Sequence, residues 1–179
     1  KTNVAINLNR KKNNLLTLNG LYNLGGVENK KFKISHDFNK KNPKYLIDFD
    51  LSENIFIKLL NFKSNLKNSS NIKSEIKIVN RNIIFNYIKF TEGKNLITIN
   101  NLKLNKKNQL SSISDIEVKT FSNRELNNSF KISFKKKIVI IGSKYDATFL
   151  LKQFSGDSET KLLENYTKDV EIKLNSLIT

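Results

Sequence analysis

The chain has 179 residues, enough for one domain with a substantial core, and a formal net charge of +16. It contains no cysteine, which excludes disulfides and cysteine-ligated metal sites, and no apolar run approaches the ~18 residues of a membrane span. The chain begins at a lysine, lacks methionine and ends on an alternating stretch. We therefore interpret it as a segment of a longer protein, with any anchor or export signal outside it.

Apolar and polar residues alternate with a period of two along most of the chain, the pattern of strands with one buried face. In chain order, the apolar positions are Val4, Ile6 and Leu8; Phe32, Ile34, His36 and Phe38; Tyr45, Ile47, Phe49 and Leu51; Ile97 and Ile99; Leu102 and Leu104; Ile116 and Val118; Phe130, Ile132 and Phe134; and Val170, Ile172 and Leu174. Polar turns separate these stretches. The pattern predicts an all-β fold, an antiparallel meander of about ten or more short strands.

Three stretches depart from this pattern. The segment "NIIFNYIKF" (82–90) is apolar on both faces, which predicts that another part of the protein covers it. The polar stretches near 61–71 and 155–168 lack periodicity and are predicted to be loops. We find no sign of a second domain and treat 1–179 as a single unit.

The segment "KKKIVIIGSKYDATFLLKQF" (135–154) has the outline of a strand, a glycine turn and a helix. A phosphate-binding loop would need more glycines than Gly142, and Asp146 would repel a phosphate. The structural interpretation is a short helix near 146–154, with Ser143 or Asp146 as its N-cap. Its apolar face would consist of Ala147, Leu150, Leu151 and Phe154.

No catalytic or metal-binding pattern stands out, so the sequence predicts no enzyme, cofactor or metal. His36 is the single histidine and lies on the apolar side of its strand, which favours a structural role. Asp48, Asp50 and Glu53 are close in sequence, but they lack the ligand spacing of a calcium loop. A solvated polar face explains them.

Codon bias and solubility are the preferred explanation of the positive charge, because Lys, Asn and Ile are the residues that an AT-rich genome favours; an anionic partner is the alternative. The composition does not favour specific nucleic-acid recognition. Only Arg10, Arg81 and Arg124 among the 32 basic residues are arginines, the residue that contacts phosphates and guanines with two hydrogen bonds. The aromatic residues do not interleave with arginines as in single-strand binders. A phospholipid headgroup would satisfy the same charge.

The long apolar face must be covered in one of two ways. Either a second sheet packs on it, as in a β-sandwich, or the sheet curls into a trough around an apolar ligand. The alternation alone leaves both possibilities open.

Three segments in order, from Tyr45 to Lys152, resemble the C-terminal region of the AsmA-like envelope proteins, in particular the large YhdP-type members. "YLIDFDLSENIFIKLLNFKS" is similar to their "V-D-L-D-L-[ST]" strand with its apolar and polar continuation, and "NLITINNLKLNKKNQLSSISDIEVKT" is similar to their adjacent strands, with Asp115 before the second. The third, "FKKKIVIIGSKYDATFLLKQF", is similar to a strand, a glycine and "x-x-[LF]-D-A-x-x-L-L". Its matching residues are Gly142, Asp146, Ala147, Leu150 and Leu151, whereas Thr148 replaces the usual arginine.

The resemblance implies an elongated, twisted β-groove in the periplasm, tethered to the inner membrane, that carries phospholipid between the two membranes. It transfers no catalytic residue. On this hypothesis the lipid-facing candidates, taken to lie on adjacent strands, are Phe32, Ile34, Tyr45, Ile47, Phe49, Phe130, Ile132 and Phe134. The competing hypotheses are a structural β-sandwich module without a ligand and a charge-driven nucleic-acid binder.

Overall fold

A computed structural model describes residues 3–9, 15–23, 29–37, 43–51, 53–65, 69–148 and 169–179. The predicted all-β class is confirmed, because nearly all of these residues lie in strands. The strands are β1 (Asn3–Asn9), β2 (Leu15–Tyr22), β3 (Lys30–Asp37), β4 (Lys44–Asp50), β5 (Phe56–Ile57), β6 (Phe62–Lys63), β7 (Ser70–Val79), β8 (Asn82–Glu92), β9 (Asn95–Leu104), β10 (Leu110–Ser112), β11 (Asp115–Ser122), β12 (Glu125–Phe134), β13 (Ile138–Asp146) and β14 (Val170–Ile178).

Twelve of these strands form one open sheet in the order β1-β2-β3-β4-β7-β8-β9-β11-β12-β13-β14, with β10 paired to β9. The order follows the chain, as the predicted meander requires. Among the described residues, the second sheet consists of two short strands, β5 and β6. The described chain therefore forms one large sheet and a small hairpin rather than two sheets of similar size.

The last strand pair departs from the predicted antiparallel arrangement. β13 and β14 are parallel, with Ile140 opposite Ile172 and Gly142 opposite Leu174. Alternation could not reveal this direction, because a strand shows the same period of two in either orientation.

Tight asparagine-arginine turns connect two of the strand pairs. Asn80 and Arg81 join β7 to β8, and Asn123 and Arg124 join β11 to β12. All four residues have a positive φ between 50° and 70°. Positive φ at both central residues is required by the type I′ turn, whose twist matches that of the strands it connects.

Two local predictions need correction. The stretch near 61–71 was predicted to be a loop, yet it contains β6 and the first residues of β7. β13 continues to Asp146, so Ser143 lies inside a strand and does not cap a helix. The Oδ1 atom of Asp146 accepts a hydrogen bond from the Thr148 N–H at 3.1 Å, as the alternative N-cap would. Residues 149–154 of the predicted helix and the predicted loop at 155–168 lie outside the described residues.

Candidate functional site

One face of the large sheet carries apolar side chains from β2 to β14. Strand pairing aligns Leu18, Ile34, Ile47, Ser74, Ile88, Ile99, Ile116, Ile132, Ile140 and Ile172 in a line across the strands, which we call the isoleucine row. Only one of its ten positions, Ser74, is polar. Its members are half-buried except Ser74, which is buried, and Ile172, which is 61% exposed on the edge strand. The row is therefore neither a sealed core nor an ordinary wet surface.

A second line of paired residues runs parallel to the isoleucine row and is two residues away from it on every strand. This phenylalanine row consists of Gly20, Phe32, Phe49, Ile72, Phe90, Ile97, Val118, Phe130, Gly142 and Leu174. Because paired residues point to the same side of a sheet, the two rows together form one continuous apolar face.

Polar and charged side chains dominate the opposite face. Its central line contains Asn19, Lys33, Asp48, Lys73, Lys89, Thr98, Glu117, Lys131, Ile141 and Lys173. Lys73 pairs with Asp48 at 3.1 Å, and Lys131 pairs with Asp115 at 3.1 Å and with Glu117 at 2.9 Å. Such surface ion pairs add little to the free energy of unfolding, but their charged groups make this face hydrophilic.

A β-bulge in β8 keeps apolar residues on the apolar face. Pairing between β7 and β8 shifts after Glu75, so that Ile76 lies opposite Phe85 while Asn86 is left over. Asn86 donates a hydrogen bond to Glu75 on the polar face. Without the extra residue, Asn86 would replace Phe85 on the apolar side, because a shift of one residue exchanges the two faces.

The β5–β6 hairpin (53–65) covers part of the phenylalanine row. Phe62 is 3% exposed, and its ring lies edge-on to Phe90 with the ring centroids 5.8 Å apart. The two join Ile97, Val118 and Phe130 in one buried cluster. The hairpin thus covers the phenylalanine row between β8 and β12 and explains why "NIIFNYIKF" has no free apolar face at Phe90.

Buried polar groups hold the hairpin in place. Asn128 is fully buried, and its amide donates to the carbonyl oxygen of Leu60 at 2.8 Å and to the hydroxyl of Thr120 at 2.9 Å. Its Oδ1 atom accepts from the Asp146 N–H, and Asn61 donates to the Asp146 carboxyl group at 3.0 Å. These bonds satisfy groups that would be costly to bury alone.

A second attachment lies at the other end of the hairpin. The carboxyl group of Glu92, 2% exposed, accepts hydrogen bonds from the Asn65 N–H and from the Asn95 side chain. Asn95 in turn accepts from the Phe121 N–H at 2.7 Å. Both ends of the β5–β6 hairpin are therefore attached to the sheet by polar side chains.

The predicted lipid-facing residues share one face but occupy two different settings. Phe32 lies opposite Phe49, Ile34 opposite Ile47, and Tyr45 opposite His36. The prediction that β12 is adjacent to these strands is wrong, because β7, β8, β9 and β11 intervene. Sequence spacing could not show how many strands separate two apolar stretches.

The three candidates on β12 differ in access. Phe130 is 7% exposed and belongs to the buried cluster beneath the hairpin, which makes it a core residue that a ligand cannot reach. Ile132 is half-buried and packs against that cluster. Phe134 lies opposite Ile138 at the end of the sheet away from the hairpin. Within the described part of the chain, Ile34 and Ile47 neither belong to the buried cluster nor pack against it, and both are half-buried.

At β2 to β4, Tyr22 packs against side chains of the phenylalanine row through aromatic contacts. Tyr22 stacks on Phe49 with the ring centroids 4.5 Å apart and meets Phe32 edge-on at 6.4 Å. Its hydroxyl donates to the carbonyl oxygen of Asp50. Tyr22 was not predicted from the sequence. The spacing of two residues between Leu18, Gly20 and Tyr22 could have predicted that Tyr22 lies on the apolar face.

The remaining sequence features have structural roles. The His36 ring stacks on Tyr45 at 4.3 Å, as a structural histidine would. Asp48 and Asp50 both accept hydrogen bonds from the Asn71 amide, at 2.7 and 2.9 Å. Within the described ranges, no three or more His, Cys, Asp or Glu residues cluster in a way that could hold a metal ion.

The carboxyl group of Asp115 on the polar face makes stability depend on pH. The hydrogen bond from Asn100, at 2.9 Å, lowers the pKa of Asp115 below its ordinary 3.8; partial burial opposes this, and Lys131 lowers the pKa further. The folded pKa is below the unfolded one. The stabilisation is therefore present above pH 3.8 and is lost as the pH falls through that value toward the folded pKa.

We accordingly expect Asp115→Asn to flatten the pH dependence of stability. The loss in free energy of unfolding between about pH 6 and about pH 3 should be smaller in this variant than in the parent, as measured by urea unfolding at each pH. Glu125→Gln, at the exposed first residue of β12, is the control for removing one negative charge. An unchanged pH dependence in Asp115→Asn would contradict the prediction.

Comparison with known proteins identifies no relative of this chain. Among the described residues, no helix has the length and apolar character needed to cross a bilayer. No protein-family model, curated protein sequence or solved structure matches the chain.

Proposed function

We propose that the apolar face binds the acyl chains of phospholipids and that the protein is a lipid-carrying segment of the AsmA-like kind. In this proposal it belongs to a periplasmic protein, anchored in the inner membrane outside this segment, that carries phospholipid between the two membranes. The observation that supports the proposal is the half-buried isoleucine row, which crosses ten strands of an open sheet.

The length of the row favours a track over a single pocket. Ten strands about 4.8 Å apart span roughly 40 Å. One acyl chain occupies half of a bilayer core about 30 Å thick, or about 15 Å. More than one chain could therefore lie along the row.

The chemistry of the row suits acyl chains. Burying a methylene contributes about 0.8 kcal/mol, so a continuous apolar surface can hold a chain without a specific polar contact. An isolated charge in the row would oppose this, since a charge out of contact with water costs several kcal/mol.

Ile47→Asp tests the proposal, because Ile47 lies in the row outside the core cluster. We expect the variant to stay folded and to lose at least about tenfold in affinity for a fluorescent fatty-acyl phospholipid. Ile132→Asp should also lose lipid, but with lower stability, because Ile132 packs against the core cluster.

Leu46→Asp is the matched control. Leu46 neighbours Ile47, is 42% exposed and lies on the polar face opposite Ser35 and Glu75. It should bind lipid as the parent does. If Ile47→Asp unfolds while Leu46→Asp folds, a closed structural module is favoured. If both fold and bind lipid equally, the apolar face is not the binding surface. Mass spectrometry of lipids extracted from the purified protein supplies an independent check.

A further inference from the structure

The two long rims of the apolar face differ in charge. Strands β7 to β13 run antiparallel, so their connecting turns alternate between two rims. We call the rim with turns 80–81, 105–109 and 135–137 the open rim, and the rim with turns 93–94 and 123–124 the hairpin rim, because the β5–β6 hairpin lies toward it.

Positive charge is concentrated on the open rim. Its turns contain Arg81, Lys106, Lys107, Lys135, Lys136 and Lys137 and no acidic residue. Lys137 pairs with Glu171 of β14. On the hairpin rim, Lys94 is preceded by Glu92 and Arg124 is followed by Glu125. The basic residues are thus dispersed along the sequence, but their strand-end positions bring six of them to one side of the sheet.

Apolar side chains continue up to the open rim. Ile78, 41% exposed, lies opposite Ile83, and Ile83 lies opposite Leu104. Phe134 and Ile138 are paired immediately before and after turn 135–137. On the other side, Phe62 and the buried carboxyl group of Glu92 close the face beneath the hairpin. Among the described residues, the hairpin covers the side of the face toward Glu92, and the side toward the basic rim ends in apolar side chains that range from Ile78, which is exposed, to Ile138, which is buried.

We propose that a bound lipid lies with its acyl chains across the isoleucine row and its phosphate against the basic turns of the open rim, so that anionic phospholipids bind in preference to zwitterionic ones. This rests on the proposed function. Lysine ammonium groups act as point charges and do not form the two-bond contacts of arginine. The rim therefore selects for net negative charge rather than for headgroup shape.

The test compares two triple variants that each remove one arginine and two lysine charges. Arg81→Gln, Lys107→Gln and Lys136→Gln neutralise the open rim; Lys63→Gln, Lys94→Gln and Arg124→Gln neutralise the hairpin side. All six residues are exposed. The probes are monomeric phosphatidylglycerol and phosphatidylcholine that carry the same fluorescent acyl chain, without vesicles.

The open-rim variant should lose about tenfold or more in affinity for phosphatidylglycerol and clearly less for phosphatidylcholine, because the positive choline group offsets the phosphate charge of the second lipid. The hairpin-side variant should bind both probes as the parent does. Equal losses in the two variants would reduce the effect to net charge and overturn the proposal. So would an open-rim variant that binds monomeric lipid normally but no longer binds phosphatidylglycerol vesicles, since the rim would then be a membrane-docking surface.

Two further arms separate the possible sources of failure. Glycerol phosphate, which has the headgroup chemistry without acyl chains, should compete poorly; competition as strong as that of the lipid would indicate a free-phosphate site and overturn the orientation. If the parent binds neither probe, the proposed function fails and this inference falls with it. If Ile47→Asp abolishes binding of both probes but the open-rim variant changes neither, only the orientation is wrong.

Discussion

Replacing Phe62 with alanine should lower the free energy of unfolding by about 3–5 kcal/mol, the range for removing a buried phenylalanine ring. Phe62 is 3% exposed and is the hairpin's fully buried apolar contact with Phe90, Ile97 and Val118. The hairpin's backbone is held by polar bonds to Asn128 and Glu92. It therefore cannot collapse freely into the cavity that the missing ring would leave.

Phe56→Ala is the matched control for this prediction. Phe56 lies in the same hairpin but is 52% exposed. Urea unfolding should show a loss of less than about 1 kcal/mol for Phe56→Ala. Similar small losses for both variants would mean that the hairpin does not pack on the sheet.

Replacing Gly142 with alanine should cost about 3 kcal/mol or more, because there is no space for a side chain. A Cβ atom on Gly142 would lie 2.5 Å from the Cα and Cβ atoms of Phe130 and closer still to the carbonyl oxygen of Ser129. The Ser129 oxygen and the Phe130 Cα are backbone atoms, and the Phe130 Cβ belongs to a buried side chain, so none of them can move aside by a change of rotamer. The bulge between Ser129 and Phe130 places β12 at this short distance.

Ile141→Ala, one residue earlier in β13, is the control. Ile141 is 54% exposed on the polar face, so its truncation should cost less than about 1 kcal/mol. Thermal or urea unfolding measures both variants. A loss for Gly142→Ala no larger than that for Ile141→Ala would contradict the close approach of the two strands.

The expected loss in Gly142→Ala follows from a structural role of Gly142, which is to let β12 and β13 approach closely. The sequence placed it at a possible phosphate-binding turn, and the structure places it inside β13 beneath Phe130. A glycine between apolar residues indicates either a turn or a close backbone approach. Which of these holds depends on the neighbouring strand, which the sequence around Gly142 does not contain.

Local alternation predicted most of the strands and their apolar sides, although it did not single out β2 or β7. Ile34 and Ile47 were assigned to one face from their own strands, and they lie directly opposite each other in the sheet. This works because side-chain direction in a strand follows from position alone, with a period of two. The all-β class and the one-sided character of the sheet follow from the same rule.

Strand neighbours, direction and cover were decided by the tertiary structure. Ile132 was grouped with Ile47, but four strands separate β12 from β4. β14 pairs parallel to β13, and the stretch containing Phe62 covers Phe130 instead of forming a loop. Each of these depends on contacts between residues distant in the chain, which a period of two cannot encode.

The charge distribution is the clearest case of this division. The amino-acid sequence determined a net charge of +16 and an apolar face, but dispersed the lysines over the whole chain. Antiparallel pairing brings turns 80–81, 105–109 and 135–137 to one rim, while Phe62 and the hairpin close the other side. The physical reason is that hydrophobic periodicity is local, whereas the position of a turn on the sheet depends on the order and direction of all strands before it.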